Sequence, residues 1–315
     1  MRAEKAHHRY RQPLFGVLLT VLVILFISQN LDMNSLLAQL VNIDPVWMAI
    51  GLLLFFLNYA LRAHRFRLLS YSSTPSPLNT FGVSALHGMF NYLLPAKLGE
   101  LAYPLLARSH LGLTTSEGTA TLIVARFWDF AIIALLLPFV ATFFTGGLPS
   151  WALFSTLGFS GLIIMALAGI FWLASRPPSA FSEGGRIKTE LGRLAAGLRN
   201  AHNQGNHTQL ALLSVGIWLC IYGNFYCLVR ALGVDTTLFE MAVASTLLLP
   251  ITLLPIQGLA NIGTHELAWV TTLRLFGHDM ETSLQIAVGT HFLLLLFVLI
   301  LGISGLICLH LARRR

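Results

Sequence analysis

The chain has 315 residues, of which 56% are hydrophobic and only 10% are charged, and its net charge is +7. Soluble globular proteins carry about 25% charged residues, so this composition excludes a soluble enzyme, a nucleic-acid-binding domain and a disordered protein. It predicts an integral membrane protein whose excess Lys and Arg residues lie in cytoplasmic loops facing anionic lipid.

Apolar runs long enough to cross a bilayer as helices recur along the chain. The first, residues 14–27, is short and follows a basic segment, as in a signal peptide. Because no small-residue cleavage site follows it, we favour an uncleaved signal anchor. Five further spans are predicted over residues 45–64, 117–144, 151–174, 210–230 and 282–311.

Two other apolar segments contain prolines, glycines and charged residues. The first, residues 81–107, contains Pro95, Lys97, Gly99, Glu100 and Pro104. The second, residues 241–276, contains Pro250, Pro255, Gly258, Gly263, His265 and Glu266. Such interruptions are typical of broken or re-entrant helices. We therefore predict an all-α polytopic membrane protein with about six full transmembrane helices and two re-entrant broken-helix hairpins.

The distribution of positive charge supports this layout. It places both termini and the basic residues of 62–67 and 176–199 on one side, which the positive-inside rule identifies as cytoplasmic. An eight-span layout would put the 176–199 loop outside, so we reject it. Within this loop, apolar residues at helical spacing predict an amphipathic helix on the inner leaflet, with a solvated linker as the alternative.

The two halves of the sequence share features in the same order. The matching residues are Asn58 with Asn224 and Glu100 with Glu266, both at an offset of 166 residues, and Arg126 with His291. Since an odd number of spans separates the two starting points, the second half is predicted to be inverted. We predict a single transmembrane domain, residues 1–315, with repeats at about 45–175 and 208–311 and a cytoplasmic linker at about 176–207.

Charged side chains at membrane depth are the candidate functional residues. Each costs about 2.5–3.5 kcal/mol at a helix centre, so it usually marks a site, a pathway or an ion pair. Arg126 and Asp129 share a helix face, either as a structural ion pair or with Arg126 presenting its guanidinium to a lipid phosphate. Glu100 and Glu266 either accept backbone hydrogen bonds at the helix breaks, carry protons or contact a polar head group.

Histidines are the remaining titratable candidates. His87, His265 and His291 are candidates for a proton relay or for buried histidines with structural partners. His265 and Glu266 lack the second histidine of a zinc HExxH site. We predict no catalytic residue, no metal and no cofactor.

Segments 91–100, 125–129 and 255–266 together resemble the flippase-like membrane domain of lysylphosphatidylglycerol synthases. The resemblance covers nearly the whole chain and implies lipid translocation in the bacterial cytoplasmic (inner) membrane, with re-entrant helices lining a lipid-accessible cavity. Its motif residues are Asn91, Pro95, Gly99, Glu100, Arg126, Asp129, Pro255, Gly258, Gly263 and Glu266. Tyr103 departs from the family, which often has a basic residue near this position. We expect no soluble aminoacyltransferase domain after Arg315.

We therefore predict a flippase-like transporter of a lipid or lipid-linked intermediate, with an anionic head group in a midplane cavity. The predicted substrate-binding residues are Asn91, Lys97, Glu100, Arg126, Asp129, His265, Glu266 and His291. The predicted structural residues are Pro95, Gly99, Pro255, Gly258 and Gly263. The expected partners are membrane lipids, anionic or polyprenyl-phosphate-linked, and a lipid-synthesis enzyme, without nucleic acid. The alternatives are an intramembrane lipid-modifying transferase or hydrolase, and a non-catalytic scaffold of a lipid-synthesis complex.

Overall fold

A computed structural model describes residues 20–21, 23–70, 73–143, 150–176, 192, 195–196, 199–200, 207–253 and 258–314. These ranges contain helices and no strands, which confirms the predicted all-α class. The α-helices in chain order are α1 (Met33–Val41), α2 (Pro45–Leu69), α3 (Pro77–Leu93), α4 (Ala102–His110), α5 (Thr115–Phe143), α6 (Ser150–Ser175), α7 (His207–Ala231), α8 (Leu238–Leu253), α9 (Thr264–Leu275) and α10 (Met280–Arg313). Helical residues 23–30 precede α1.

Four helices of the described chain are long and apolar enough to cross a membrane. They are Pro45–Leu69, Thr115–Leu136, His207–Ala231 and Met280–Arg313. These four correspond to predicted spans, and α6 forms a helix over another predicted span, residues 151–174. Half of the first predicted span, 14–27, and most of the 176–207 linker lie outside the described residues.

The first interrupted segment is a helix, a 3₁₀ turn and a second helix. α3 ends at Leu93, the turn covers Pro95–Leu101, and α4 follows directly. Proline has no N–H to continue a helix, which explains why the break starts there. The Tyr103 ring of α4 lies 5.4 Å from the His87 ring of α3, so α4 folds back along α3 as a helical hairpin.

The second interrupted segment repeats this arrangement. α8 ends at Leu253, a 3₁₀ turn covers Leu259–Asn261, and α9 begins at Thr264. Apolar residues of α8 and α9 are buried in one core together with residues of α7 and α10; the cluster is Val229, Met241, Ala244, Ala268, Trp269, Leu273, Ile286 and Ala287. Both predicted breaks are therefore present, and each joins two packed helices.

The backbone is strained at both breaks. Among the described residues, positive φ angles outside glycine occur at Lys97 (59°), Ala260 (51°) and Asn261 (65°). All three lie in the two 3₁₀ turns. Because side chains disfavour this conformation, its persistence requires support from surrounding contacts and often coincides with functional segments.

The chain forms two compact units. The described residues within Met1–Phe55, Gly88–Glu100 and Ile221–Leu301 form unit 1, and those within Phe56–His87, Leu101–Cys220 and Gly302–Arg315 form unit 2. Helices α2, α3, α7 and α10 contribute residues to both units. The domain and repeat boundaries proposed from the sequence stay predictions.

Antiparallel contacts join α2 and α7 in each unit. In unit 1 the Asn224 side chain donates to the Gly51 carbonyl at 2.9 Å, and the Trp47 and Tyr226 rings are 5.4 Å apart. In unit 2 the Asn58 side chain donates to the Ile217 carbonyl at 3.3 Å. The Asn58 side chain thus binds the carbonyl that lies seven residues before Asn224, and the Asn224 side chain binds the carbonyl that lies seven residues before Asn58.

We expect Asn58→Ala and Asn224→Ala to destabilise the protein by similar amounts. Hydrogen bonds between membrane helices contribute about 0.6 kcal/mol on average and up to about 1.7 kcal/mol. Thermal unfolding in detergent measures the effect, with Asn34→Ala, an exposed position on α1, as the control. Two midpoints no lower than that of the control would contradict a role for the asparagines in joining α2 to α7.

Candidate functional site

Unit 2 contains an arginine cluster, which we define as Arg62, Arg65, Arg126 and Asp129. Arg65 of α2 donates from its two terminal nitrogens to the two carboxylate oxygens of Asp129 on α5, at 2.7 and 3.1 Å. Arg65 Nη1 also donates to Ser214 Oγ on α7, at 2.8 Å. Both members of this bidentate ion pair are buried. One guanidinium therefore ties three helices together through charge-assisted hydrogen bonds.

The other two arginines approach Asp129 less closely. Arg126 Nη1, one turn earlier on α5, lies 3.2 Å from Asp129 Oδ2, as the i, i+3 spacing predicts. Arg62 Nη1 lies 3.8 Å from the same oxygen, which is too far for a hydrogen bond. Arg62 is instead held at Nε, which donates to Asn58 Oδ1 at 2.7 Å. In the described part of the chain, its terminal nitrogens have no hydrogen-bond acceptor.

The exposure of the three arginines differs in a way that separates their roles. The Arg65 side chain is 1% exposed, whereas Arg62 and Arg126 are 18% and 26% exposed. Arg65 is thus matched to Asp129 inside the protein. Arg62 and Arg126 present accessible guanidinium edges beside that pair, and the cluster contains three positive charges around one carboxylate.

Unit 1 contains a second buried polar site around Glu266 and His291, which we call the glutamate–histidine pair. Glu266 Oε2 accepts the N–H of Gly263 at 2.7 Å, and Glu266 Oε1 contacts His291 Nδ1. His291 Nε2 lies 2.8 Å from the Ala260 carbonyl oxygen. A side chain of α10 therefore holds both the 3₁₀ turn before α9 and the carboxylate that caps α9.

Two aromatic groups lie against this pair. The His265 ring centroid is 4.6 Å from that of His291, and His265 Nε2 is 3.3 Å from Thr290 Oγ1. The Tyr92 ring of α3 lies 5.8 Å from the His291 ring. The predicted residues Gly263, His265, Glu266 and His291 thus converge on one site. The predicted backbone hydrogen bond to Glu266 is present.

A cavity of about 370 Å³ adjoins the pair within unit 1. Its wall includes Gly263, Glu266 and, farther along α9, the exposed Arg274. Most of the remaining wall is apolar and comes from helical residues 23–30, α9 and α10. This volume falls in the range typical of small-molecule sites, about 300–1,000 Å³.

The predicted residues of the first break lie on or beside its 3₁₀ turn. Pro95 starts the turn, and Lys97 and Glu100 within it are partly buried. A Cβ atom at Gly99 would lie 2.2 Å from the Asn91 Cα atom, so only glycine allows the turn to approach the end of α3 this closely. Asn91 itself is partly buried.

The structure describes two of the three structural residues that were predicted at the second break. Gly258 precedes the 3₁₀ turn, and Pro255 lies outside the described residues. Gly263 precedes α9 with φ of 91°, a conformation that favours glycine. Lys97 and Gly263 both have positive φ and each precedes a glutamate, Glu100 or Glu266, by three residues.

Sequence reasoning missed Arg62 and Arg65 as site residues. Both belong to the basic residues of 62–67, which the charge distribution places at the cytoplasmic end of the predicted span 45–64. α2 instead continues to Leu69, and Arg65 is fully buried. A signal was available, because Asn58, Arg62 and Arg65 are spaced i, i+4 and i+7 and so share one helix face.

We expect Asp129→Asn to destabilise the protein strongly, because it leaves buried Arg65 without its counter-charge. Removing one partner of a buried ion pair costs about 3–5 kcal/mol. Arg126→Gln, which changes a more exposed side chain and leaves the Arg65–Asp129 pair in place, should cost about 1 kcal/mol or less. Thermal unfolding of the two variants in detergent tests this ranking, and equal losses would contradict it.

Comparison with known proteins supports the resemblance drawn from the motifs. The family described as "Lysylphosphatidylglycerol synthase TM region" matches residues 14–302. This range contains every candidate site residue. No curated protein matches the chain. The chain is a multi-pass membrane protein, and it belongs to the family of the lysylphosphatidylglycerol synthase TM region.

Proposed function

We propose that this protein moves a lipid or lipid-linked intermediate between the two leaflets of the membrane. The family indicates a membrane protein of lipid metabolism or transport. The observation that carries the proposal is the arginine cluster, in which Arg62 keeps terminal donors beside the buried Arg65–Asp129 pair. These donors, together with the accessible edge of Arg126, bind the anionic head group.

The chemistry of the cluster suits a phosphate-containing lipid. A guanidinium stays ionised in proteins and presents parallel N–H donors that match phosphate oxygens. Arg62 is held by Asn58 and Arg126 by Asp129, so both are oriented before the ligand arrives. Such preorganisation reduces the entropy lost on binding.

We further propose that the two helical hairpins are re-entrant and related by an inverted repeat. Supporting observations are the reciprocal asparagine contacts of the antiparallel helices α2 and α7 and the equal order of helix, 3₁₀ turn and helix. The helices after each hairpin also begin alike, since Thr114 accepts the Glu117 N–H and Asp279 accepts the Thr282 N–H. The bonds from Thr282 lower the pKa of exposed Asp279.

The distribution of charge supports one orientation of the protein in the membrane. We propose that both termini face the cytoplasm of a bacterial cell and that the protein lies in the inner membrane. The basic residues near the chain ends and in the 176–199 segment support this orientation. A lipid-synthesis enzyme on the same side would supply the lipid substrate.

Transport in proteoliposomes tests the function. We expect Arg126→Ala and Arg62→Ala to slow the movement of a fluorescent phosphatidylglycerol by about tenfold or more, since each loses charge-assisted hydrogen bonds of about 1.5–3 kcal/mol. Arg67→Ala, an exposed arginine of the same helix α2, is the matched control and should transport like the wild type.

Size-exclusion profiles of the purified variants separate loss of transport from loss of folding. A folded Arg126→Ala protein with the wild-type rate would contradict the assignment of the head-group site. Chemical conversion of the lipid by the purified wild type, without a partner enzyme, would instead favour the lipid-modifying transferase or hydrolase.

A further inference from the structure

We infer that Glu266 and His291 form a binding site for one exchangeable proton, and that the proton is the co-substrate that drives lipid movement. The coupling to lipid rests on the proposed function, whereas the proton site rests on the geometry of the pair alone. The site lies in unit 1, at the contact between the second hairpin and α10.

The hydrogen-bond partners fix the number of protons in the pair. The Ala260 carbonyl can only accept, so His291 Nε2, at 2.8 Å, must carry a proton and donate. The contact between His291 Nδ1 and Glu266 Oε1 then holds one proton, either as imidazolium with carboxylate or as neutral imidazole with carboxylic acid. The pair is neutral in both forms, as a buried site requires.

Loss of the shared proton, or addition of a second one, opens the contact between Glu266 and His291. Without it, the lone pair of Nδ1 faces a carboxylate, and two acceptors with a buried negative charge repel each other. With a second proton the pair becomes positive, and a carboxylic acid accepts the N–H groups of His291 and Gly263 more weakly than a carboxylate does. The closed arrangement is therefore specific for one proton.

The neighbouring groups do not replace this proton. His265 of α9 faces His291, and its Nε2 donates to Thr290, because the Thr290 hydroxyl donates to the Ile286 carbonyl at 2.7 Å. The Tyr92 ring of α3 makes a T-shaped contact with the His291 ring. Thr290 lies on α10 itself. No fixed charge from these described neighbours compensates the pair.

Opening of the pair releases strained backbone. His291 holds the carbonyl of Ala260, whose φ is 51°, and Glu266 holds Gly263, whose φ is 91°. The ring that binds the Ala260 carbonyl is therefore the ring that shares a proton with Glu266. Loss of the proton thus releases the 3₁₀ turn before α9 from His291, and rebinding restores the contact.

The cavity beside Glu266 gives the proton a route to the surface. It extends along α9 from Gly263 and Glu266 to the exposed Arg274. In one cycle the pair releases its proton to water on one side of the membrane, which opens the contact, and takes up a proton from water on the other side, which closes it. No other atom is exchanged, so the stoichiometry is one proton for each lipid moved.

Glu266→Gln is the informative variant. The glutamine oxygen can accept the Gly263 N–H, and its NH₂ group can donate to His291 Nδ1, so the hydrogen bonds of the one-proton state remain. The variant neither gains nor loses the shared proton. Glu281→Gln, at an exposed carboxylate of α10, is the matched control, and His291→Gln removes the site from the other side.

Two measurements test the inference separately. In infrared difference spectra between acidic and basic pH, the wild type and Glu281→Gln should show a carboxyl signal that is absent from Glu266→Gln and appears at a different pH in His291→Gln. In vesicles of phosphatidylethanolamine and phosphatidylglycerol with the membrane potential clamped at zero, about one unit of pH difference should drive up to about tenfold asymmetry of a fluorescent phosphatidylglycerol. Glu266→Gln should give no asymmetry.

Each outcome decides one claim. Identical carboxyl signals in the wild type and in both variants of the pair would overturn the proton site. Lipid movement by the wild type that ignores the pH difference would overturn the coupling but leave translocation intact. If the wild type moves no lipid under any condition, the proposed translocation fails, and the infrared spectra still decide whether the pair binds a proton.

Discussion

The buried pair of Arg65 and Asp129 is the interaction on which the rest of unit 2 depends. A buried charge without a partner is costly, and this pair meets the cost with two hydrogen bonds, at 2.7 and 3.1 Å, and a third from Arg65 to Ser214. Because Asp129 is committed to Arg65, the other arginines approach it only at 3.2 and 3.8 Å. Their accessible donors are therefore a consequence of the geometry of the buried pair.

The second helix break also depends on buried polar groups that find partners within the protein, and here the groups belong to the backbone. Buried backbone N–H and C=O groups outside regular helices require partners within the protein. In unit 1, the Gly263 N–H and the Ala260 carbonyl are bound by Glu266 and His291. The proposed repeat adds an asymmetry, because His291 in the second half corresponds to Arg126 in the first. An arginine keeps its charge, whereas a histidine can titrate, so the two halves suit an anion and a proton respectively.

Much of the fold was predictable from the sequence because its signals are local. Apolar runs located the spans, and Pro95 and Gly263 located the breaks, since both residues act on their own backbone. The i, i+3 spacing of Arg126 and Asp129 predicted their contact. The pairing of Asp129 with Arg65 was not predictable in this way, because the two residues are far apart in the chain and only tertiary packing brings α2 to α5. The contact of Glu266 with His291 likewise needs α10 to cross the second hairpin.

The most direct test of the central claim is mass spectrometry of the lipids that co-purify with the protein. We predict that one class of anionic lipid is enriched over its abundance in the membrane with the wild type and with Arg67→Ala, and that this enrichment is lost with Arg126→Ala. The same lipid composition in all three preparations would contradict an anionic head group at the arginine cluster.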